Sequence, residues 1–441
     1  MKQLNIFELT RPKYKITKPI RLVENFAGIG SQAKALKNIG ANFEHHRAIE
    51  YDKYAMDSYN AIHGTNFEPL DITKITAKDL GIVETDKYDY IMTYSFPCQD
   101  LSPAGKGAGM KKGSGTRSGL LWEVERLLKE CNELPQILLM ENVPQVIGKK
   151  NIQDFQNWQL FLEKLGYSSY FKLLNAKDYE IPQNRNRCFM VSILGDYYYE
   201  FPHKRKLKLK LKDMLEDEVD EKYYLSDKMI AHLMDMTDRN GFVRGERFNP
   251  HTLDSKYAYS ITTNTGRRAT DNFIILPEKT KKGYAVAHIG GGVYINRPHQ
   301  KRGVVQKDMI QTLKTSGNDV GVVVAKKEFG RMGEQAVETL RTNQVEHGNT
   351  INPFNKTVDK SETSPTLTTR PEGFKTAILV ITTNLRIRKL TPKECWRLMG
   401  FSDEDFEKAR KVNSDTQLYK QAGNSIVVKV LERIFEEFIL T

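Results

Sequence analysis

Cys98 is the side chain in this sequence best placed to act as a nucleophile. It stands in the stretch Tyr94-Ser95-Phe96-Pro97-Cys98-Gln99-Asp100-Leu101-Ser102. The residues before it, Tyr88 to Thr93, read as a buried strand. Those after it, 103–119, are rich in Gly, Ser and Lys and have no apolar period. The thiol therefore sits just past a strand's C-terminal end, at the mouth of a flexible basic loop. Open α/β sheets bind ligands and do chemistry at that position. A lone Cys is most often a small buried hydrophobe, so its neighbours decide its role. Met140-Glu141-Asn142-Val143 puts an acid at the end of another strand. Arg185 and Arg187, in Ile181-Pro182-Gln183-Asn184-Arg185-Asn186-Arg187, are two apart and face the same way on an extended backbone. A thiol, an acid and paired guanidiniums in one cleft suit nucleophilic addition with charge stabilisation.

These side chains need a scaffold that ends several strands at one edge. Residues 20–26 read as a strand, Ala27-Gly28-Ile29-Gly30-Ser31 as a tight turn, and 32–39 as a helix. Strand, glycine turn and helix open a nucleotide-type α/β fold. Gly28 and Gly30 let the backbone approach a ligand closely. A short second strand, Ala48-Ile49-Glu50, ends in an acid about 20 residues beyond the turn, where such folds bind ribose hydroxyls. A helix over 52–62 follows, and Pro69-Leu70-Asp71-Ile72-Thr73 offers a third ligand edge. Strands recur at 89–93, 136–140 and 187–194, with helices near 118–131 and 154–165. The alternation predicts the α/β class, a doubly wound, mostly parallel, Rossmann-like sheet.

The chain has 441 residues, 39% hydrophobic and 28% charged, enough to bury a sizeable core and to make more than one domain. Its four cysteines, at 98, 131, 188 and 395, form no CxxC pair and no disulfide-like spacing. That fits a reducing cytosol and argues against a structural zinc site. No apolar run approaches the roughly 20 residues of a membrane span, and no signal-peptide pattern opens the chain. A cytoplasmic protein without membrane or metal is expected. A net charge of +12 and a sequence pI of about 9.2 make a polyanion the expected partner, most simply nucleic acid.

Near residue 200 the character changes. His203 to Lys212 alternates Lys with Leu, which reads as an extended boundary segment with a basic face towards nucleic acid. From about 213 to 385, short apolar runs alternate with stretches rich in Thr, Asn, Gly, Arg and Lys. Three loosely similar stretches, 259–264, 310–315 and 364–370, precede strand-like runs at 273–276, 320–324 and 376–380. They predict a second, smaller, mostly β domain. Arg267, Arg268, Arg302 and Arg370 lie in its polar loops, placed to reach base edges and phosphates. Beyond 415 the pattern is helical, and Val427, Val430, Leu431, Ile434, Phe435 and Phe438 form one apolar face.

Taken in order, the motifs resemble the DNA (cytosine-5) methyltransferases over nearly the whole chain. They are Phe26-Ala27-Gly28-Ile29-Gly30, Asp71-Ile72, Phe96-Pro97-Cys98-Gln99, Glu141-Asn142-Val143 and Gln183-Asn184-Arg185-Asn186-Arg187. Arg388 to Pro392 with Glu394, Arg397-Leu398-Met399-Gly400-Phe401 and Gln421-Ala422-Gly423-Asn424-Ser425 complete the set. The resemblance implies transfer of a methyl group from S-adenosylmethionine to carbon 5 of cytosine in double-stranded DNA. Addition of the Cys98 thiolate at carbon 6 would make carbon 5 electron-rich. Glu141 would act near ring N3, and Arg185 and Arg187 would stabilise developing charge. The base must be flipped out of the duplex. Loop 102–119 would close over DNA, with Gln99, Ser102, Lys106, Lys111 and Arg117 as contacts beside Arg267, Arg268 and Arg370.

For the cofactor, the resemblance implies Phe26, Gly28 and Gly30 at the methionine end and Glu50 on the ribose. Tyr51, Asp71 and Ile72 would hold the adenine, with Phe96 and Pro97 between the ligands and Asn424 and Ser425 closing the site. Ser31 stands where many relatives have a third Gly and is placed to start the following helix. Expected domains are a catalytic one over 1–202, a target-recognition one over 203–412, and a segment over 413–441 that returns to the first. A monomer of restriction-modification type is expected, with a cognate endonuclease acting on the same site as companion. Competing readings are an RNA cytosine-5 methyltransferase of the same fold and a catalytically silent DNA-binding relative. A dinucleotide oxidoreductase would share only the glycine turn and Glu50. A zinc deaminase needs a Pro-Cys-x-x-Cys that the chain lacks.

Overall fold

The computed structural model describes residues 11–101, 109–225, 251–252, 254–263, 272–276 and 386–439, with short strands at 292–294, 305–306, 320–322, 350–352 and 357–359. Seven strands lead the chain: β1 (Ile20–Asn25), β2 (Phe43–Ile49), β3 (Asp89–Tyr94), β4 (Ile137–Asn142), β5 (Tyr167–Asn175), β6 (Gln183–Asn184) and β7 (Asn186–Leu194). All but β6 form one sheet in the order β2-β1-β3-β4-β7-β5. β2, β1, β3 and β4 are parallel, and β7 runs antiparallel to both β4 and β5. The chain leaves β1 first to one side and then to the other. The switch point, where such sheets hold ligands, thus lies between the C-terminal ends of β1 and β3.

Burial explains which strands the sequence displays. Every residue of β3 and β4 is buried, so both read as continuous apolar runs. β5 is a sheet edge with exposed Phe171, Lys172 and Leu173, and its mixed polarity hides it among the surrounding residues. β2 is the other edge, and it begins at Phe43 rather than at Ala48 for the same reason.

Five helices alternate with these strands: α1 (Ser31–Asn38), α2 (Lys53–His63), α3 (Ala77–Leu80), α4 (Leu121–Glu130) and α5 (Ile152–Lys164). Alternation along β1 and β3 sorts the two faces. Val23, Tyr90, Met92 and Tyr94 join Leu121, Val124, Leu128, Phe155 and Trp158 of α4 and α5 in one core. On the opposite face Glu24 accepts a hydrogen bond from the Ala33 N–H of α1. Four C-terminal helices follow: α6 (Pro392–Met399), α7 (Asp403–Arg410), α8 (Asp415–Asn424) and α9 (Val428–Ile439). α9 packs on α1 through the expected apolar face, with Val430, Leu431, Ile434, Phe435 and Phe438 buried.

The chain divides into two compact units, Met1–Ile274 with Lys389–Thr441, and Ile275–Arg388. These limits differ from the expected 202/203 and 412/413. Beyond residue 202 the chain stays with the first unit, because Leu211 and Met214 are buried and Arg397 donates to the carbonyls of Met214 and Leu215. α6 also belongs there rather than under a recognition domain, since Trp396 Nε1 donates to the Leu418 carbonyl of α8 at 3.0 Å. The described part of the second unit is β throughout. Gly292–Tyr294 pairs antiparallel with Val305–Gln306 and Val320–Val322, and Thr350–Asn352 pairs antiparallel with Thr357–Asp359. The predicted strand at 376–380 lies outside the described residues.

Candidate active site

Three strand ends supply the reacting groups. Cys98 follows β3 by four residues, Glu141 is the penultimate residue of β4, and Arg187 is the second of β7. Register places them at one edge, with Glu141 opposite Phe189 in the β4–β7 pair. Arg187 Nε meets Glu141 Oε1 at 3.2 Å, with both side chains largely buried. Burial pushes the Glu141 carboxyl above its usual range, against the pull of Arg187 and then Arg185. The Cys98 thiol is also raised, first by burial and then by the charge of Glu141, while Arg187 and Arg185 oppose the shift. Thus each group gives up its proton at a higher pH here than it would in free solution.

Arg185 behaves differently from the equal partner that the two-residue spacing suggests. The backbone breaks between β6 and β7 at this residue, and its guanidinium turns into the protein, 4% exposed. It donates to the carbonyls of Ile261 at 2.9 Å, Gly423 at 3.0 Å and Ser425 at 2.8 Å. Burial lowers its pKa to about 9. Its charge reaches Cys98 and Glu141, but its hydrogen bonds join the 181–187 segment to 261 and to the end of α8.

The cysteine turn is held from behind by groups that single-residue reading passes over. Asn142 Nδ2 donates to the Phe96 carbonyl at 2.9 Å, and Ser118 Oγ donates to the Pro97 carbonyl at 2.7 Å. Ser118 N–H also donates to Asp100. Gln183, whose side chain is fully buried, donates to the Leu398 carbonyl and accepts from the Ile261 N–H. Asn142 and Gln183 were visible only as letters inside motifs; their partners lie 46 and 215 residues away.

Beside this edge lies the glycine turn. Gly28 has φ 56, and a Cβ built there meets no atom within 4 Å, so the backbone borders open space. Gly30 serves another purpose. A Cβ there would stand 2.2 Å from His63 Nε2 and 2.7 Å from Tyr59, so the missing side chain makes room for α2. Phe26 holds φ 58, a strained conformation for a non-glycine that costs ~1–3 kcal/mol. Glu50 Oε2 accepts from the Gly28 N–H at 2.9 Å and Oε1 from the Asp52 N–H at 2.8 Å. Burial still raises its carboxyl.

A cleft of about 440 Å³ begins at Tyr51, the residue after Glu50, and is also lined by Pro69, Leu70, Asp71, Lys74 and Ile75. Asp71 Oδ1 accepts from the Thr73 N–H and hydroxyl, which holds its carboxyl below the usual range. Ile72 is buried in the core, 4% exposed, and Ile75, of the same core, lines the cleft. Phe96 is likewise a core residue. Asn424 is exposed, whereas the Ser425 hydroxyl donates to the Gln421 carbonyl at 2.9 Å and is committed inside the protein. Ser31 is the first residue of α1 rather than its cap, and its hydroxyl accepts from the Ile426 N–H at 3.3 Å.

Sequence comparison decides the family. The profile described as C-5 cytosine-specific DNA methylase matches residues 20–440. The chain belongs to that family. This DNA methylase is 29% identical to type II methyltransferase M2.ScrFI of Lactococcus lactis subsp. cremoris, over 95% of this chain and 98% of the relative. It is 30% identical to orphan methyltransferase M.Rho11sI of Bacillus phage rho11s, over 96% and 98%. Its fold matches the solved structure of the Entamoeba histolytica methyltransferase EhMeth at a TM-score of 0.59 and 16% identity, covering 96% of this chain and 98% of that one. The methylase is therefore an enzyme for cytosine-5 methylation of DNA, from a family whose methyl donor is S-adenosylmethionine.

Of the expected DNA contacts, Gln99, Lys111 and Arg117 are exposed on the methylase surface. Arg117 Nη1 donates to Gln99 Oε1 at 2.6 Å. Ser102, Lys106, Arg267, Arg268, Arg302 and Arg370 lie outside the described residues. Among the described residues no group of His, Cys, Asp and Glu could hold a metal ion, and no helix is long and apolar enough to cross a membrane.

Proposed function

We propose that the methylase acts through a covalent adduct between Cys98 and carbon 6 of a cytosine flipped out of a specific duplex sequence. Cys98 gives up its thiol proton to solvent and adds as the thiolate, forming the sulfur–carbon bond and placing electron density on carbon 5. Glu141, whose carboxyl burial raises, takes up a proton when the base is bound and donates its hydrogen bond or proton at ring N3, offsetting charge that builds during addition. The resulting Glu141 carboxylate is stabilised by Arg187. Arg185 is a positioning residue that fixes the 181–187 segment. S-adenosylmethionine, when bound, supplies the electrophilic methyl group that carbon 5 takes. A base, for which water can serve, then removes the carbon-5 proton, the sulfur–carbon bond breaks to return the thiolate, and any proton taken up at N3 goes back to Glu141.

The open space at Gly28, the Glu50 carboxylate and the adjoining cleft fit the cofactor's methionine, ribose and adenine parts in turn. Phe26 would border the methionine end, Tyr51 and Asp71 would contact the adenine, and Asn424 would close the site. The second unit would read the target sequence. The relatives' names include both type II and orphan methyltransferases, so the reading extends to DNA modification and leaves a companion endonuclease aside.

The observation that supports this reading most is the Arg187–Glu141 pair acting on the half-buried Cys98 thiol at one sheet edge. The test is expression in a host without cytosine methylation, with 5-methylcytosine mapped genome-wide for wild type and Cys98→Ser. Duplexes carrying 5-fluorocytosine should also trap a denaturation-resistant adduct, because the carbon-5 fluorine cannot leave as a proton does. A mark confined to one short sequence and lost in Cys98→Ser is expected. A mark that survives the substitution would show that Cys98 is not the nucleophile.

A further inference from the structure

Residues 203–210 form a basic strap within the first unit, tied at both ends. At its start the Arg205 N–H donates to the Asp178 carbonyl at 2.8 Å, and the Tyr179 hydroxyl donates to the Pro202 carbonyl at 3.0 Å. At its far end Leu211 is fully buried and its N–H donates to the Ser255 carbonyl. Between these ties the backbone has no regular secondary structure, and all but Leu207 of residues 203–210 are exposed. The Lys-Leu alternation does not bury an apolar face, since Leu209 is 42% exposed. The segment presents Lys204, Arg205, Lys206, Lys208 and Lys210 with no carboxylate in its own span. Lys204 alone reaches an acid, Asp178, among the ion pairs described for these five.

Sheet register fixes where this charge lies. Asn142 of β4 and Leu173 of β5 both stand opposite Cys188 of β7, so β4 and β5 end at the same edge. The strap starts just past the end of β5, at Asp178. It therefore leaves from the edge that carries Glu141 and Cys98, displaced sideways by three strand spacings from β3, about 14 Å. A groove of about 300 Å³ separates it from the strand end, lined by Lys172, Asn175, Asn186, His203 and Lys204 among others.

We propose that the strap is a sequence-independent docking rail for the DNA phosphate backbone, flanking the reaction site rather than reading bases. This rests on duplex DNA being the substrate. Exposed lysines on an irregular, tethered segment suit phosphates, which need charge and not a fixed donor pattern. The rail would hold the duplex beside the site while the target base leaves the stack.

The experiment compares wild type, a Lys206→Gln/Lys208→Gln/Lys210→Gln variant and the matching triple Lys→Arg variant. Binding to an unrelated duplex is titrated across salt, and methylation of duplex DNA by the wild type is assayed in parallel. Each phosphate contact contributes about 0.9 to the slope of log K against log salt. The triple Gln variant should therefore lose about 2 to 3 from that slope, while the triple Arg variant keeps it. Single Lys206→Gln and Lys208→Gln variants should each lose about 0.9 and serve if the triple variant folds poorly. Preference for the target duplex over an unrelated one should stay at the wild-type ratio. An unchanged slope in the Gln variants would overturn the rail. Absence of methylation by the wild type would overturn the function reading instead, and the slopes would still decide the rail.

Discussion

Replacing Arg187 with Ala should destabilise the first unit in a pH-dependent way. The wild-type pair is 3.2 Å long and both partners are largely buried. At that distance and an effective dielectric near 20, the attraction is about 5 kcal/mol. Removing one partner of a buried pair typically costs about 3–5 kcal/mol, because the other charge is left alone. Here Glu141 has an escape, since it can take up a proton. Its carboxyl is already raised above the ordinary 4.5 by burial, and losing Arg187 removes the largest opposing influence. A carboxyl raised in the folded state binds its proton more tightly there than in the unfolded chain. Its burden on stability is absent below pH 4.5 and grows as pH rises towards the folded value. We expect a loss of about 1 kcal/mol or less at pH 5 and about 3 kcal/mol at pH 8. All three tryptophans, Trp122, Trp158 and Trp396, belong to the first unit. Urea unfolding followed by their fluorescence at several pH values therefore reports this unit. Adding Glu141→Gln should restore most of the loss at pH 8, because no unpaired charge remains. A penalty that is the same at pH 5 and pH 8, or a double variant no more stable than Arg187→Ala, would refute the argument.

Two further outcomes follow from the same edge. Gly28→Ala adds a side chain into open space at φ 56, so it should cost the fold about 1–2 kcal/mol yet weaken S-adenosylmethionine binding at least tenfold, read by calorimetry. Gly30→Ala drives a Cβ into His63 and Tyr59 and should cost about 2–5 kcal/mol in thermal unfolding; the reverse ranking of the two variants would contradict the turn geometry. Alkylation of Cys98, followed peptide by peptide, should be slow at neutral pH and accelerate above the ordinary thiol value of 9.0. Glu141→Gln removes one of the two causes of that shift, so the profile should move to lower pH, and an unmoved profile would show that Glu141 does not act on the thiol.

The sequence displayed the groups at the strand ends because burial on both faces makes β3 and β4 continuous apolar runs. A chemically suggestive residue just after such a run is then easy to place. It did not display β5, whose exposed Phe171, Lys172 and Leu173 break any simple pattern. Nor did it separate Arg185 from Arg187. Their spacing suggests a shared direction, but the break between β6 and β7 sends one guanidinium into the protein and the other to Glu141. Gly28 and Gly30 looked equivalent for a similar reason. Only the neighbours, none for one and His63 for the other, tell a glycine that borders open space from one that admits a helix. The unit limits of the fold are not legible in composition, because Met214 and Leu215 are held to α6 by contacts that span some 180 residues.

Those long-range contacts also explain why the chain's end belongs to its beginning. The Ser31 hydroxyl at the start of α1 accepts from Ile426, Lys420 reaches Asp52 at 2.7 Å, and Arg185 holds Gly423 and Ser425. Ser31 adjoins the glycine turn, Asp52 lies two residues past Glu50, whose carboxylate accepts from the Gly28 N–H, and Arg185 lies two residues before Arg187. A strained Phe26 and a Gly28 held through its N–H by Glu50 would relax if the turn stood alone. α9, buried along α1, supplies the apolar contact that holds these polar ties in register. The Ser31–Ile426 bond is uncharged and modest, about 1 kcal/mol, whereas each bond from the buried Arg185 guanidinium contributes about 1.5–3 kcal/mol. Loss of the α9 face would thus loosen the ligand turn before it unfolded the sheet, since β3 and β4 keep their own core with α4 and α5.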